Sequence, residues 1–172
     1  MKIKQGLLVG CSVVGLLFGA CGSKPSADQS IRNYSLDEVR SVLKSQISAW
    51  STGDINGFMD GYIKDSTVRF ITSKKVKSSW QQILSDYKKG YPTKEAMGNL
   101  DFLLDEVRWL DSSAGLSQVI GRWQVLQVRG DKKNILDGIN QRQSQLDTLS
   151  GRFSLIFKST QQGPRIAIDC TW

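Results

Sequence analysis

The chain has 172 residues, with 23 basic and 16 acidic side chains and no histidine. This length fits one compact domain whose core is large enough to be stable alone. The basic residues are spread along the chain and form no stripe with interleaved aromatic residues, which argues against a nucleic-acid partner. No histidine or clustered cysteine offers a metal site, and no glycine-rich phosphate motif predicts a nucleotide cofactor.

The first 20 residues have the pattern of a secretory signal peptide. A positive start precedes an apolar run, Leu7–Phe18, which is too short for a transmembrane helix of about 20 residues. Residues 17–21, Leu-Phe-Gly-Ala-Cys, resemble the lipobox of bacterial lipoproteins, in which the cysteine is lipidated with acyl chains such as palmitate. We therefore expect a lipid anchor at Cys21 and a place in the bacterial cell envelope, on the outer membrane facing the periplasm if the host has two membranes. An ordinary cleaved signal with an incidental Cys21 is the alternative.

The anchor would be followed by a tether and then by the folded domain. Residues 21–34 are small, polar and without periodicity, which is typical of a flexible linker, and the domain is expected to span residues 35–172. Cys170 has no predicted disulfide partner. Because no histidine is present to form its thiolate, we expect a small apolar side chain on a strand and no nucleophile.

Two helices are predicted at the start of the domain. Ser35 and Glu38 have the spacing of a capping box, and apolar residues then recur at helical spacing as far as Trp50. Asp54 is placed to cap a second, short helix that reaches Tyr62.

A strand and a third helix follow. Thr67–Thr72 is rich in β-branched and aromatic residues, as in strands, and Ser73–Lys77 is predicted to be a polar loop. Ser78 and Gln81 form a second candidate capping box, and Gly90 marks the end of the third helix.

After the third helix, the hydrophobic period changes from helical to two. A bulge is expected where the alternation slips, around Leu103 and Leu104. Helices followed by long antiparallel strands indicate an α+β fold, and three helices are too few to cover both faces of such a sheet. We therefore expect the sheet to curl around the helices and leave a concavity. The four predicted strands are Leu100–Leu110, Leu116–Val128, Arg152–Ser159 and Arg165–Thr171.

The order of several short motifs resembles one known family. Ala49–Met59 has an Ala-Trp…Gly-Asp…Phe pattern, and Val68–Ile71, Lys74–Trp80, Gly121–Trp123 and Gly151–Lys158 follow in turn. This series is similar to the NTF2-like superfamily, in its SnoaL-like (DUF4440-type) branch. The resemblance implies a cone-like fold with three N-terminal helices packed on a curved, mostly antiparallel sheet, a pocket inside, and a homodimer formed through the outer face of the sheet.

Two features depart from the family pattern. Many relatives carry His-Asp-His on the final strand, where Ile168-Asp169-Cys170 stands here, so that only the central aspartate is kept. Residues 129–150 replace a short hairpin and are predicted to be an insertion between strands. Their apolar residues fit either a short amphipathic helix or a flexible flap, and a solvated loop is favoured over a lid.

Asp169 is the candidate catalytic residue. Steroid isomerases of this fold combine a carboxylate base with an oxyanion site. Strict alternation along the last strand places Asp169 on one face with Arg165 and Ala167, opposite Ile166. If Asp169 faces the cone, its pKa should rise by desolvation, and Arg122 is the expected partner. A salt bridge that fixes strand register is favoured over catalysis.

Three functions are compatible with the sequence. The first is a membrane-anchored, non-catalytic module that binds a small apolar ligand or a protein partner. The second is a pocket enzyme of isomerase or hydrolase type that uses Asp169, and the third is a structural dimeric envelope protein. The absence of histidine favours the first over the second, whereas a filled cone would favour the third. The candidate ligand-binding residues are Trp50, Phe58, Tyr62, Phe70, Trp80, Tyr87, Arg122 and Trp123.

Overall fold

The computed structural model describes residues 33–129 and 145–172, which form helices in the first half and strands mainly in the second. None of the helices in these two stretches is long and apolar enough to cross a membrane. The helices are α1 (Leu36–Thr52), α2 (Ile55–Met59), α3 (Trp80–Gly90) and α4 (Lys94–Met97). The strands are β1 (Arg69–Thr72), β2 (Val76–Ser78), β3 (Asn99–Asp111), β4 (Leu116–Arg129), β5 (Gln145–Thr160) and β6 (Gly163–Thr171).

Side-chain caps set where the helices begin. The Ser35 hydroxyl accepts a hydrogen bond from the Glu38 backbone N–H, and the Glu38 carboxylate accepts one from the Ser35 N–H, so the predicted capping box is confirmed. Asp54 caps α2 as expected. The predicted cap of α3 is wrong by one residue: Ser79 accepts the capping hydrogen bond, because Ser78 is the last residue of β2.

The strands form one open, mixed sheet in the order β2-β1-β6-β5-β4-β3. β1 pairs with β6 in parallel, and every other neighbouring pair is antiparallel. Helix α1 contacts both β3 and β6, although β4 and β5 lie between them. Neighbouring strands are about 4.8 Å apart, so α1 lies across the width of four strands. The predicted curved α+β architecture is confirmed.

Two short elements were not predicted. β2 lies in the expected polar loop and pairs with β1 through three residues, Val76, Lys77 and Ser78. α4 is a single turn capped by the Thr93 hydroxyl. Both elements are too short to show a hydrophobic period.

The expected insertion is shorter than residues 129–150. Residues 145–150 belong to β5 and pair with residues 124–129 of β4. Leu146 and Leu149 therefore lie on a strand, and not on the helical face suggested by their spacing. The rest of the predicted insertion, residues 130–144, lies outside the described residues.

A β-bulge in β6 changes which residues of the last strand face inward. In β5, Phe157 pairs with Ile166, and Ile156, the residue before Phe157, pairs with Ile168. Ala167 is thus an extra residue, and the inside–outside alternation shifts by one position. Ile166 and Asp169 are both buried on the concave side, so the expectation that they lie on opposite faces is wrong.

The core lies between the helices and the concave face of the sheet. The period of two predicted for the strands is confirmed in β4, since Val119 and Val125 are buried whereas Arg122 is exposed. The bulge expected in β3 is also present, at Asp105, where the register with β4 shifts.

Tyr34, the last residue of the predicted tether, packs against the domain. Its ring lies 4.7 Å from that of Trp109, and its hydroxyl lies 2.9 Å from the Ser117 hydroxyl and 3.2 Å from the Gly115 carbonyl oxygen. These contacts fix the chain at the β3–β4 hairpin, so the packed domain begins at or before Tyr34.

Replacing Tyr34 by phenylalanine should lower the free energy of unfolding by about 1 kcal/mol, because the ring contact remains while the hydrogen bonds are lost. Urea unfolding followed by tryptophan fluorescence measures the change. The exposed neighbour Asn33, replaced by alanine, is the control. Equal stability of the two variants would contradict a structural role for the hydroxyl.

Candidate functional site

A cavity of about 290 Å³ lies between the helices and the concave face of the sheet. Its volume is close to the lower end of the range typical of small-molecule sites, about 300–1,000 Å³. Half of the lining residues are aromatic. The aromatic lining residues are Trp50, Phe58, Tyr62, Phe70, Tyr87, Tyr91, Phe102, Trp123 and Phe153.

Six of the eight candidate ligand-binding residues line this cavity, whereas Trp80 and Arg122 do not. The Trp80 indole N–H donates to the Met59 carbonyl oxygen at 2.9 Å, which joins α3 to α2. Arg122 lies on the outer face of the sheet and pairs with Asp105 at 3.1 Å. Because side chains alternate along β4, Arg122 and Trp123 could not both face inward.

Several lining residues were missed from the sequence. Phe153 lies on the inner face of β5, and Phe102 lies beside it with the ring centres 5.3 Å apart. Tyr91 follows the end of α3, where no periodicity continues. Gln46 lies on the buried face of α1, and its amide donates to the Phe58 carbonyl oxygen at 3.0 Å. It was missed because a polar residue does not contribute to the apolar helical pattern.

Asp169 is a buried carboxylate in the cavity wall, with 5% of its surface exposed. One carboxylate oxygen accepts a hydrogen bond from the Tyr62 hydroxyl at 2.7 Å, and the other accepts one from the Thr171 hydroxyl at 2.7 Å. Among the ion pairs of the described residues, none involves Asp169. The expected partnership with Arg122 is wrong, since that side chain lies on the other face of the sheet.

The surroundings of this cluster shift the pKa values of its groups. Burial raises the pKa of Asp169, and the hydrogen bonds from Thr171 and Tyr62 oppose that rise. Burial first, and then the charge of Asp169, raises the pKa of Tyr62 and of Tyr87 well above that of a free phenol. The two phenols are therefore neutral near pH 7.

A partly exposed ion pair lies at the rim of the cavity. The Lys77 ammonium is 2.7 Å from the Asp86 carboxylate and 5.8 Å from the centre of the Phe70 ring. The hydrogen bond from Lys77 lowers the pKa of Asp86. This ion pair links β2 to α3 at the rim of the cavity.

The lining also contains a buried hydrogen-bond donor without an acceptor. The Trp123 indole N–H is buried and has no partner among the described residues. It packs against Gly151, where an added Cβ would lie 2.7 Å from the indole nitrogen. Such a donor usually bonds to water or to a bound molecule.

Cys170 does not contribute a nucleophile to this site. It pairs in the ladder with Ser154, on the strand positions that face away from Asp169. Burial, with a further contribution from Asp169, raises the pKa of the Cys170 thiol, which disfavours the reactive thiolate.

The stability of the Asp169→Asn variant relative to wild type should increase as the pH rises. The raised pKa means that the folded chain holds a proton that the unfolded chain, with a pKa of about 3.9, has already released. Stability is therefore lost as the pH rises from that value through the folded pKa, and asparagine removes this loss. The difference in Tm, variant minus wild type, should become more positive between pH 4 and pH 8.

The control for this experiment is Asp101→Asn on the exposed face of β3, whose Tm difference from wild type should not follow the same trend. A difference for Asp169→Asn that stays constant or declines with pH would contradict the burial of an ionised group at Asp169.

No family model matches the sequence, and no curated protein matches it. Solved structures do match. An NTF2-like protein of unknown function from Shewanella oneidensis is 28% identical, covers 78% of this chain and 96% of its own, and has a TM-score of 0.65. A ketosteroid isomerase-like protein from Erwinia carotovora is 12% identical over 81% of this chain and 96% of its own, with a TM-score of 0.58.

A putative dehydratase of the NTF2-like family from Streptomyces avermitilis is 14% identical over 79% of this chain and 94% of its own, with a TM-score of 0.56. At such low identity, this match and the Erwinia match speak for the fold alone. Together with the Shewanella protein, they confirm the fold that the sequence motifs predicted.

Proposed function

Because this chain has the NTF2-like fold, we propose that it is a membrane-anchored, non-catalytic domain that binds a small, largely apolar molecule in its cavity. The observation that supports the proposal is the cavity of about 290 Å³ lined by aromatic residues. Filling the cavity with side chains would add packing contacts, so a domain with a purely structural role would be more stable without it. Burying an apolar ligand there gains about 25 cal/mol per Å² of apolar surface.

Two groups in the lining suit a ligand that carries a polar end. Asp169 keeps acceptor capacity beyond its two hydrogen bonds, since an ionised carboxylate offers about four lone-pair sites. The Trp123 N–H offers a buried donor. The ligand is therefore amphipathic, with most of its surface against rings.

Cavity binding is tested with the neutral dye N-phenyl-1-naphthylamine and a pair of variants on adjacent residues of β4. Val125 lines the cavity, and Val125→Phe should weaken dye binding at least tenfold by occupying the space. Leu126 is exposed, and Leu126→Phe should leave binding unchanged. Equal binding by wild type and both variants would place the dye elsewhere, and no binding by wild type would contradict an accessible apolar site.

Membrane attachment rests on the sequence, since Cys21 lies outside the described residues. Cys21→Ser should move the protein from the membrane fraction to the soluble fraction, because it removes the predicted site of lipidation. Cys170→Ser is the matched control and should remain with membranes. If Cys21→Ser also stays with membranes, the lipid anchor is wrong.

An enzyme that uses Asp169 is the second candidate. A buried carboxyl group with a raised pKa beside a phenol in a cavity is the type of arrangement that supports proton transfer. Native mass spectrometry of protein purified from its own membranes distinguishes the two candidates. A binding domain should retain one molecule in wild type, and whatever amount Asp169→Asn still holds should be that same molecule, whereas an enzyme should retain its substrate in the variant and a different molecule, the product, in the wild type.

A further inference from the structure

Building on the proposed function, we propose that the cavity selects an organic cation, an ammonium group on an apolar body, with the ammonium at Asp169 and the body against the aromatic walls. The carboxylate and the rings are the two parts of this site.

Asp169 needs a positive partner when it is ionised. Its two described hydrogen bonds come from neutral hydroxyls, those of Tyr62 and Thr171. A buried ionised carboxylate without a counter-charge is costly, and neutral donors offset only part of that cost. A ligand ammonium would supply the missing charge as well as further hydrogen bonds.

The remaining charged groups of the described lining do not meet this need. Lys77 is already 2.7 Å from Asp86 at the rim, so these two charges offset each other. The described lining then carries one net negative charge when Asp169 is ionised, within a chain whose net charge is +7. A cationic ligand would therefore be favoured by the cavity even though the protein as a whole repels it.

The walls suit the same ligand. Trp50 lies 5.0 Å from Phe58 and 4.8 Å from Tyr91 in edge-on contacts, and Phe58 lies 5.4 Å from Tyr87 in the same manner. The faces of aromatic rings are negative and attract cations within about 6 Å of the ring centre. At the rim, the Lys77 ammonium already lies 5.8 Å from the centre of the Phe70 ring, so the lining itself contains one cation–ring contact.

The inference is tested with three probes that share one compact cage and differ in charge: 1-adamantanamine, 1-adamantanol and adamantane-1-carboxylate. Calorimetric titration of the full chain at pH 7.5 should show the ammonium binding at least tenfold more tightly than the alcohol, and no measurable binding of the carboxylate. Asp169→Asn should reduce ammonium affinity at least tenfold and change alcohol affinity less than threefold. Asp101→Asn, on the exposed face of β3, should leave all three affinities unchanged.

The outcomes separate this inference from the proposed function. If the alcohol binds as tightly as the ammonium, or if Asp169→Asn leaves the ammonium affinity unchanged, the cation inference is overturned while the apolar site stands. Absence of binding by all three probes also overturns it. If N-phenyl-1-naphthylamine fails to bind as well, the proposed function is overturned too. The comparison of the three probes on the wild-type protein decides the question even if Asp169→Asn does not fold.

Discussion

Replacing Phe157 by alanine should lower the free energy of unfolding by about 3–5 kcal/mol, the usual cost of deleting a buried aromatic ring. Phe157 is fully buried, and so is Ile166, its partner in the ladder immediately before the bulge. Small domains are stable by only about 5–15 kcal/mol, so this change would remove a large part of the total. Guanidinium unfolding followed by tryptophan fluorescence measures it.

The matched control is an apolar side chain on the opposite face of the sheet. Leu103 is 57% exposed, and Leu103→Ala should change stability by less than about 0.5 kcal/mol, as for most surface substitutions. If the two variants lost the same stability, the assignment of the concave face as the core would be wrong.

Gly121→Ala should destabilise the domain by about 1–3 kcal/mol, because it overpacks the inner face of β4. An added Cβ would lie 2.6 Å from the Leu103 carbonyl oxygen and 2.7 Å from the tip of the Phe153 ring. The carbonyl belongs to the β3–β4 ladder and has little freedom to move. The Phe153 ring lines the cavity and would have to shift, so the site and the stability would change together.

Gly90→Ala is the control for this substitution, since nothing lies within 4 Å of the added Cβ at that position. Gly90 is the last residue of α3, and alanine there should be neutral or slightly stabilising, by up to about 1 kcal/mol. Thermal unfolding of both variants provides the comparison. A Gly121→Ala variant as stable as Gly90→Ala would contradict the close approach of β3 and Phe153.

The parts of the fold that local patterns control were predictable from the sequence. Ser35 and Glu38 form their capping box through neighbours three residues apart, and the alternation along β4 follows from burial of one face of the strand. The order of the motifs then gave the family fold. β2 could not be found in this way, because three residues form a strand only through their pairing with β1.

The candidate site was predicted in its composition but not in its geometry. Most of the aromatic candidates line the cavity, because large rings tend to be buried. The inward position of Asp169 depends on the extra residue Ala167, and only the register with β5 reveals that residue. The assumption of strict alternation therefore placed the wrong residues on the face of Asp169. The sequence also offered no reason to pair Asp169 with Tyr62, which is 107 positions away.

The packing of Tyr34 has a mechanical consequence. It holds the incoming chain at the β3–β4 hairpin, whereas the cavity residues of β3 are Leu100 and Phe102, near the first residue of that strand. About ten residues of strand separate the two places, a distance of roughly 33 Å at 3.3 Å per residue. Tension on the segment before Tyr34 would thus load the hairpin and Trp109 first, at a distance from the cavity residues of β3.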